Sequence, residues 1–410
     1  MQYKKILSTK DKRVKFLVPK NINIKPKKIE LSIVIPAYNE KKTIKKFVEW
    51  CKLGIKSIKL TNRAEIIIID SSNDGTDKIA LEAGAKVVKT PLRGLGRAYL
   101  DGMEFVSGKY MILGDADCTY DFRHLKNFYK NFLEGYEFIM GSRSLGNIEK
   151  GSMPKLHKYF GIPLTNFLLN FIYSSKFSDI HCGMRGITKK AFLQMQLNSQ
   201  KWDYASEMLI KAIRLNLKST ETPINFFIAA NNRQSVHVRE GWLSPWKAGL
   251  QNLNQMLTFG CDFMFKKLFY ILFFPSLIYF FYTIFISNSF LNYVFHFHWS
   301  FVFFNFLILS YLFLFFSDII KVAYQIGLKK NVDKLVEKKI KYTFIDFIIL
   351  ISGILMILPT VLKYLDNTNL DVDYVRTNLF LIGLSFLLFS SIRFFEHYFF
   401  KGLKKIFLIK

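Results

Sequence analysis

Apolar and polar positions follow two rhythms along this chain. Up to about residue 190 the apolar residues come in short runs separated by polar or amphipathic stretches, whereas beyond residue 267 they come in long runs almost free of charge. The short runs read as buried strands: Leu31–Pro36, Ile66–Asp70, Ala85–Val88, Tyr110–Leu113 and Phe138–Arg143. Each is a few apolar, often β-branched residues bounded by turn formers, which is the pattern of a strand covered on both faces. Between them lie helical patterns, from Thr43 to Lys52, after Thr76, and from Arg93 to about Ser107. Strand and helix in alternation predict an α/β fold, a mostly parallel sheet with helices on both faces.

The long runs predict four membrane spans. Leu268–Ile286, Val294–Ser317, Phe344–Leu362 and Thr377–Ile392 are uncharged except for Asp346, and all but the last reach about the 20 residues a bilayer requires. The connections alternate in charge. Ser287–Tyr293 has no Lys or Arg, the stretch from Lys321 to Lys341 is Lys-rich, the one holding Asp366, Asp371 and Asp373 is acidic, and the tail after Lys401 is basic. Positive residues mark the cytoplasmic side, so both termini and the second connection are expected there, with the protein integral to the inner or plasma membrane.

Composition fits this division. Of 410 residues half are hydrophobic, 43 of them Phe, and the formal net charge is +27. Because the basic residues follow the expected topology, no nucleic-acid partner is expected. Cys51, Cys118, Cys182 and Cys261 show no paired metal-ligand spacing and read as reduced thiols. The first 30 residues are Lys-rich with little periodicity and no signal-peptide pattern, and are expected to form a solvated basic arm. The expected boundaries are therefore an arm over 1–30, a cytosolic domain over 31–240, a juxtamembrane segment over 241–266, the spans over 267–396 and a basic tail over 397–410.

The stretch that carries chemistry is Gly114-Asp115-Ala116-Asp117. Carboxylates at i and i+2 of an extended segment share one side. That suits a hard divalent cation bridging a diphosphate, which takes one or two carboxylates beside phosphate oxygens; a solvated Asp-x-Asp turn is the plain alternative. Asn39-Glu40, Asp70 and Asp115/Asp117 all fall at carboxyl ends of predicted strands, where sheets of this kind bind ligands. Arg93-Gly94-Leu95-Gly96-Arg97 reads either as a helix start or as a close backbone approach with arginines that offset phosphate charge. The apolar positions Leu156, Phe160, Leu164, Phe167, Leu168 and Phe171 read as a core-facing helix or, given their Phe content and flanking Lys, as a helix on a membrane surface. Trp242, Trp246, Leu250, Leu253 and Leu257 suit a helix at headgroup level.

Seven motifs in order, LSIVIPAYNE (31–40), IIDSSNDGT (68–76), RGLGRA (93–98), GDAD (114–117), GSR (141–143), CGMRG (182–186) and SEMLIKA (206–212), resemble those of family 2 inverting glycosyltransferases. The likeness is greatest to the membrane-anchored polyprenol-phosphate sugar transferases, such as the dolichyl-phosphate mannosyltransferase and undecaprenyl-phosphate glucosyltransferase types, and covers about residues 31–260. It implies a GT-A nucleotide-sugar-binding domain followed by interfacial helices and the four spans. It further implies that Pro36, Tyr38, Glu40 and Asp70 cradle the nucleoside, that Asp115 and Asp117 hold Mg²⁺ or Mn²⁺, and that Arg143 and Arg185 meet a lipid phosphate. Arg93, Glu207, Arg233 and Ser235 join the substrate-binding set. The family often has Asp-Asp-Gly-Ser where this chain has Ile69-Asp70-Ser71-Ser72, which leaves UDP and GDP both open.

The function so implied is transfer of a hexose from a nucleotide sugar to a polyprenyl phosphate at the cytosolic membrane face, with inversion. Its partners are the nucleotide sugar, the lipid and the membrane, with room for a homo-oligomer. Two other readings stand beside it. One is a family 2 transferase that elongates a cell-envelope glycan, although its usual Gln-x-x-Arg-Trp motif is absent. The other is a membrane scaffold or transporter with a nucleotide-binding regulatory domain, which would tolerate loss of Asp115 and Asp117.

Overall fold

The structure, a computed structural model, describes residues 3–19, 28–153, 157–201, 203–229, 244–285, 297–327, 344–365 and 374–407. They fall into two compact units, Met1–Phe259 and Gly260–Lys410.

The first unit is built on a nine-stranded sheet: β1 (Tyr3–Leu7), β2 (Lys15–Pro19), β3 (Leu31–Ala37), β4 (Ala64–Asp70), β5 (Lys86–Lys89), β6 (Tyr110–Leu113), β7 (Phe138–Ile148), β8 (Arg185–Thr188) and β9 (Ser219–Phe226), in the order β1-β2-β5-β4-β3-β6-β8-β7-β9. Its helices are α1 (Ile44–Ser57), α2 (Thr76–Glu82), α3 (Leu95–Gly102), α4 (Lys126–Leu133), α5 (Ile162–Tyr173), α6 (Lys189–Met195) and α7 (Tyr204–Arg214). The middle of the sheet, β5-β4-β3-β6, is parallel. β3 buries five successive residues and β4 six. Side chains alternate faces along a strand, so burial of every position means both faces are covered. Full burial of an Ile is worth about 1.5–3 kcal/mol. Ile67, Ile68 and Ile69, all with no exposed surface, are therefore a principal reason this strand sits at the centre.

The sheet is more mixed than the sequence pattern suggests. β8 runs antiparallel to both β6 and β7, while β9 pairs parallel to β7 at the edge. β8 has only four residues, too few to show a period, and β9 contains Pro223, which an edge strand tolerates because one side needs no donor. Residues 3–19 also depart from the expected solvated arm. β1 and β2 form a hairpin that pairs antiparallel to β5. Val14, Phe16, Leu17 and Val18 are buried, and Phe16 stacks on Phe105 at 4.7 Å. Between lysines this run of apolar residues is too short to stand out. Residues 20–27 lie outside the described set.

Chain order fixes where a ligand site can form. From β3 the chain moves outward through β4 and β5, then returns to β6 on the other side of β3. Between β3 and β6 the direction of winding reverses, and that reversal opens a crevice beyond the carboxyl ends of the strands.

α5 settles between its two readings by burying one face and exposing another. Ile162, Leu169 and Ile172 are buried. Phe167 is 65% exposed and stacks on Phe171, and Tyr159 in the preceding turn is 70% exposed. Phe160, Leu164 and Phe171 are exposed as well, so large apolar side chains recur at the surface from Tyr159 to Phe171.

The second unit contains the four long apolar helices. α8 (Ser244–Phe285) begins in the first unit and has non-helical backbone at Gly260, where the units divide. α9 (Phe297–Gly327), α10 (Phe344–Leu365) and α11 (Tyr374–Phe407) follow. All four are long and apolar enough to cross a membrane, over Met256–Phe285, Trp299–Gln325, Ile345–Lys363 and Val375–Phe400. The last is longer than the expected 377–392 because the helix continues past Arg393, which pairs with Asp346 at 3.2 Å and with Glu396.

Candidate active site

Three loops meet at the crevice. Ala37 is level with Asp70 across the β3–β4 pair, and Val34 is level with Leu113 across β3–β6. The register therefore brings Pro36–Glu40, Asp70–Asp74 and Gly114–Asp117 together. Asn39 leaves β3 in the left-handed conformation and donates its N–H to Ser72 Oγ at 2.7 Å. Glu40 N–H donates to Thr76 Oγ1, while Thr43 donates its hydroxyl to the Glu40 carboxylate at 2.7 Å. Tyr38 is left 47% exposed at the rim. Beside it a cavity of about 460 Å³ is lined by Tyr38, Asn39, Ser71, Asn73, Asp74, Lys89, Thr90, Pro91 and Leu92.

Asp70 is fully buried beneath this cavity. It accepts from Ser72 N–H and Oγ, and from Lys89 Nζ at 2.6 Å. Burial pushes its carboxyl up, against the pull of Lys89 and Ser72. Asp70 thus acts on the cavity through Lys89, a lining residue that the sequence pattern, at the end of a weak strand, did not single out.

Asp115 and Asp117 follow β6, both partly exposed. Asp117 Oδ1 accepts from the Thr119 N–H and hydroxyl at 3.0 and 2.6 Å, which fixes its rotamer. Enclosure and the charges of Asp117 and Glu40 push the Asp115 carboxyl up to about 7. Crowded carboxylates of this kind are relieved by a cation. Among the described residues no group of three or more His, Cys, Asp or Glu is placed to hold a metal, so the donor set stops at this pair. One or two carboxylates are the protein donors that Mg²⁺ or Mn²⁺ takes beside phosphate oxygens, and they do not suit a structural zinc.

The CGMRG loop closes the other side. Gly183 N–H donates to Tyr120 Oη at 2.8 Å, and a β-carbon on Gly183 would meet Asp115. Arg185 is 2% exposed and donates to the carbonyls of Cys182 (2.9 Å), Ala205 (2.5 Å) and Ile180 (3.1 Å). Every nitrogen of its guanidinium is engaged with backbone, so Arg185 pins this loop to the start of α7 instead of offering a fork to phosphate. Arg143 is 6% exposed and makes a bidentate pair with Asp179 through Nε and Nη2, at 2.7 and 2.8 Å. Burial alone would raise the Asp179 carboxyl, but Arg143 outweighs it and holds it below its ordinary value. Asp179 stands three residues before Cys182, and that proximity to the motif was the available signal. Both arginines exert their positive charge on Asp115.

The remaining expected site residues are placed as follows. Arg93 donates to Asp11 of the N-terminal hairpin (2.8 Å) and to Asp101 (2.6 Å), and Arg97 also donates to Asp101 (2.9 Å). Glu207 is fully buried, accepts from the Asn198 and Ser199 N–H groups, and pairs with Lys211 at 2.5 Å. It shapes the 198–200 loop, on which Gly94 and Gly96 pack so tightly that a β-carbon would lie 2.4 Å from Gln200 O or 2.1 Å from Ser199 O. The glycines of RGLGRA therefore serve close packing against that loop. Arg233 and Ser235 lie outside the described residues.

A strand-end carboxylate pair, one loop away from a cavity, lies at the point where the winding of the sheet reverses, which is where sheets of this kind bind ligands. The glycosyl transferase family 2 model matches residues 32–195, which contain all of these loops up to α6. The chain belongs to glycosyl transferase family 2. Its first unit is a GT-A-like domain, and its four long apolar helices follow. Haloferax volcanii "Low-salt glycan biosynthesis hexosyltransferase Agl6" is 38% identical over 213 residues, 52% of this chain and 51% of that protein. An uncharacterized protein of Methanocaldococcus jannaschii is 30% identical over 207 residues, 48% of this chain and 81% of that protein. The "Dolichyl-phosphate hexose transferase" of Haloferax volcanii is 26% identical over 199 residues, 48% of this chain and 82% of that protein. The chain thus spans about half the length of Agl6, and all three similarities concern about half of this chain.

Proposed function

We propose that this glycosyltransferase moves a hexose from a nucleoside-diphosphate sugar to a polyprenyl phosphate at a membrane face. The observation that carries the reading is the placement of Asp115 and Asp117 at the winding reversal, one loop away from the 460 Å³ cavity. Similarity to a dolichyl-phosphate hexose transferase and the four apolar helices support the lipid acceptor.

In this reading the cavity takes the nucleoside, with Tyr38 at its rim, Pro36 on the strand that leads to it and Asp70 setting the position of Lys89. Asp115 and Asp117 would hold Mg²⁺ or Mn²⁺, with Glu40 close by. Such an ion would supply Lewis-acid neutralisation of the leaving diphosphate. The acceptor needs no strong base, because a phosphate monoester with a second pKa near ~6 is already an anionic nucleophile at neutral pH. What the chain must do is hold two anions together. Arg143 keeps Nη1 outside its pair with Asp179, and we assign it to the acceptor phosphate. Arg185, Arg93 and Glu207 act as positioning residues for the loops around the carboxylates. Attack from the side opposite the diphosphate inverts the anomeric carbon, and the gain comes mainly from proximity and orientation. The aromatic surface of α5, with Lys158 beside it, rests in the headgroup region.

The test is to incubate membranes carrying the protein with polyprenyl phosphate and a panel of labelled UDP- and GDP-sugars. A lipid-linked product from one donor supports the proposal. Transfer only to a growing glycan, with no lipid-phosphate product, would overturn it.

A further inference from the structure

The N-terminal hairpin reaches the residue next to the cavity wall. β1 and β2 extend the sheet beyond β5, and the turn between them closes where Ser8 N–H donates to Val14 O. Two side chains shape that turn. Ser8 Oγ accepts from the Lys10 N–H at 3.1 Å, and Asp11 Oδ1 accepts from the Arg13 N–H at 3.0 Å. Bonds of this kind, from a short polar side chain to backbone two residues on, fix a tight turn. Arg13 closes on the same carboxylate through Nε and Nη2, at 3.1 and 2.9 Å. The Asp11 rotamer is thus set within the hairpin, and its Oδ2 accepts from Arg93 Nη1 at 2.8 Å. The Asp11 side chain is 16% exposed and that of Arg93 23%, so salt screens this pair less than a surface pair.

Arg93 ends the segment that forms one side of the cavity, where Lys89, Thr90, Pro91 and Leu92 line it. Thr90 is held at the near end of this wall. Its N–H donates to Asp70 O at 3.0 Å and its hydroxyl to Asp101 Oδ2 at 2.7 Å. At the far end Arg93 Nη2 donates to the same Asp101 oxygen at 2.6 Å, and Arg97 Nε takes the other at 2.9 Å. One buried carboxylate therefore faces two guanidinium groups, and the hairpin supplies the second carboxylate that balances them. With Asp11 in place the planar guanidinium of Arg93 is gripped at both terminal nitrogens. Without it Arg93 is free to turn about its bond to Asp101, and Leu92, its neighbour in the chain and 60% exposed, moves with it.

We propose that Asp11 is a positioning residue for nucleotide binding: through Arg93 it holds the Lys89–Leu92 wall where the nucleoside sits. This rests on the cavity being the nucleoside site. It makes the hairpin, which precedes all seven motifs, part of the donor-binding architecture. A second anchor separates support of the hairpin from support of the wall. Ser8 Oγ donates to Glu104 Oε2 at 2.6 Å and Thr9 N–H to Oε1 at 2.9 Å, which ties the hairpin to the turn after α3.

The test is calorimetric titration of the full chain in detergent with UDP and with GDP, each with Mg²⁺. The parent is expected to bind one of them. Asp11→Asn keeps an acceptor for the Arg13 N–H but removes the charge, and should bind that nucleotide about fivefold more weakly, within the range of couplings inside one ion-pair network. Arg93→Gln should lose at least as much, and the double variant no more than Arg93→Gln alone, because both act through one contact. Glu104→Ala should bind within about twofold of the parent, as a site with no shared partner does. Unchanged affinity in Asp11→Asn, or tighter binding because Arg93 is released to the diphosphate, would overturn the inference and leave the cavity as the nucleoside site. An equal loss in Glu104→Ala would also overturn it, since the hairpin as a whole would then be the support. Binding of neither nucleotide by the parent would overturn the reading of the cavity and this inference with it.

Discussion

A β-carbon on Gly183 would stand 2.8 Å from Oδ2 of Asp115. The CGMRG loop is thus in contact with one of the two carboxylates assigned to the metal, and the lack of a side chain at position 183 gives Asp115 its place. Behind the loop, Arg185 holds it by three backbone carbonyls. The motif works as a backstop for the carboxylate pair.

Gly183→Ala should therefore displace Asp115 without unfolding the domain, because the carboxylate end is the part able to move. Turnover is expected to fall on the order of a hundredfold, as small misplacements of catalytic groups do, with a melting temperature within a few degrees of the parent. Steady-state kinetics and a thermal melt on the same preparation check it. Wild-type turnover would remove the loop from the account.

The Arg143–Asp179 pair makes a pH prediction. Asp179 is held below its ordinary value of 3.8, so the pair's stabilisation is complete above that value and is lost as pH falls through the lower, folded-state value. Asp179→Asn leaves Arg143 buried without its carboxylate, at about 3–5 kcal/mol. The variant should melt lower at pH 7 and show a shallower acid decline than wild type between pH ~4 and ~2. Parallel melting curves across that range would contradict the assignment.

The sequence shows the parallel core because Ile33–Ile35, Ile67–Ile69 and Met111–Leu113 are buried on both faces and so carry unbroken apolar runs. It shows the carboxylates because they end such runs. It hides β8, four residues long, and β9, whose edge position admits Pro223 and polar side chains. It also hides the partners of the expected ligands. Residue type identifies Arg93, Arg185 and Glu207 as chemistry-bearing, but only tertiary contacts reveal that each is tied to a neighbouring loop or helix. Asp70 is the converse: its place at a strand end is legible, while its action through Lys89 depends on register between β4 and β5.

The exposed rings near α5 predict a lipid-specific defect. Each ring moved from the headgroup region into water loses about 1.5–3 kcal/mol. The double variant Phe160→Ser, Phe167→Ser should raise the KM for polyprenyl phosphate in bilayers at least tenfold and leave the donor KM unchanged. Equal effects on both substrates would point to a folding defect, and no effect on the lipid KM would exclude this surface from membrane contact.

In the proposed function Asp115 and Asp117 act through a divalent cation in transfer to a lipid phosphate. The most direct measurement follows lipid-linked hexose formed by purified full-length protein from its preferred nucleotide sugar, with Mg²⁺ or Mn²⁺, with EDTA, and in Asp117→Asn. Product is expected with the cation, with loss of at least a thousandfold on chelation and recovery on readdition, and a similar loss in Asp117→Asn at an unchanged melting temperature. Undiminished product in EDTA, or from Asp117→Asn, would contradict it.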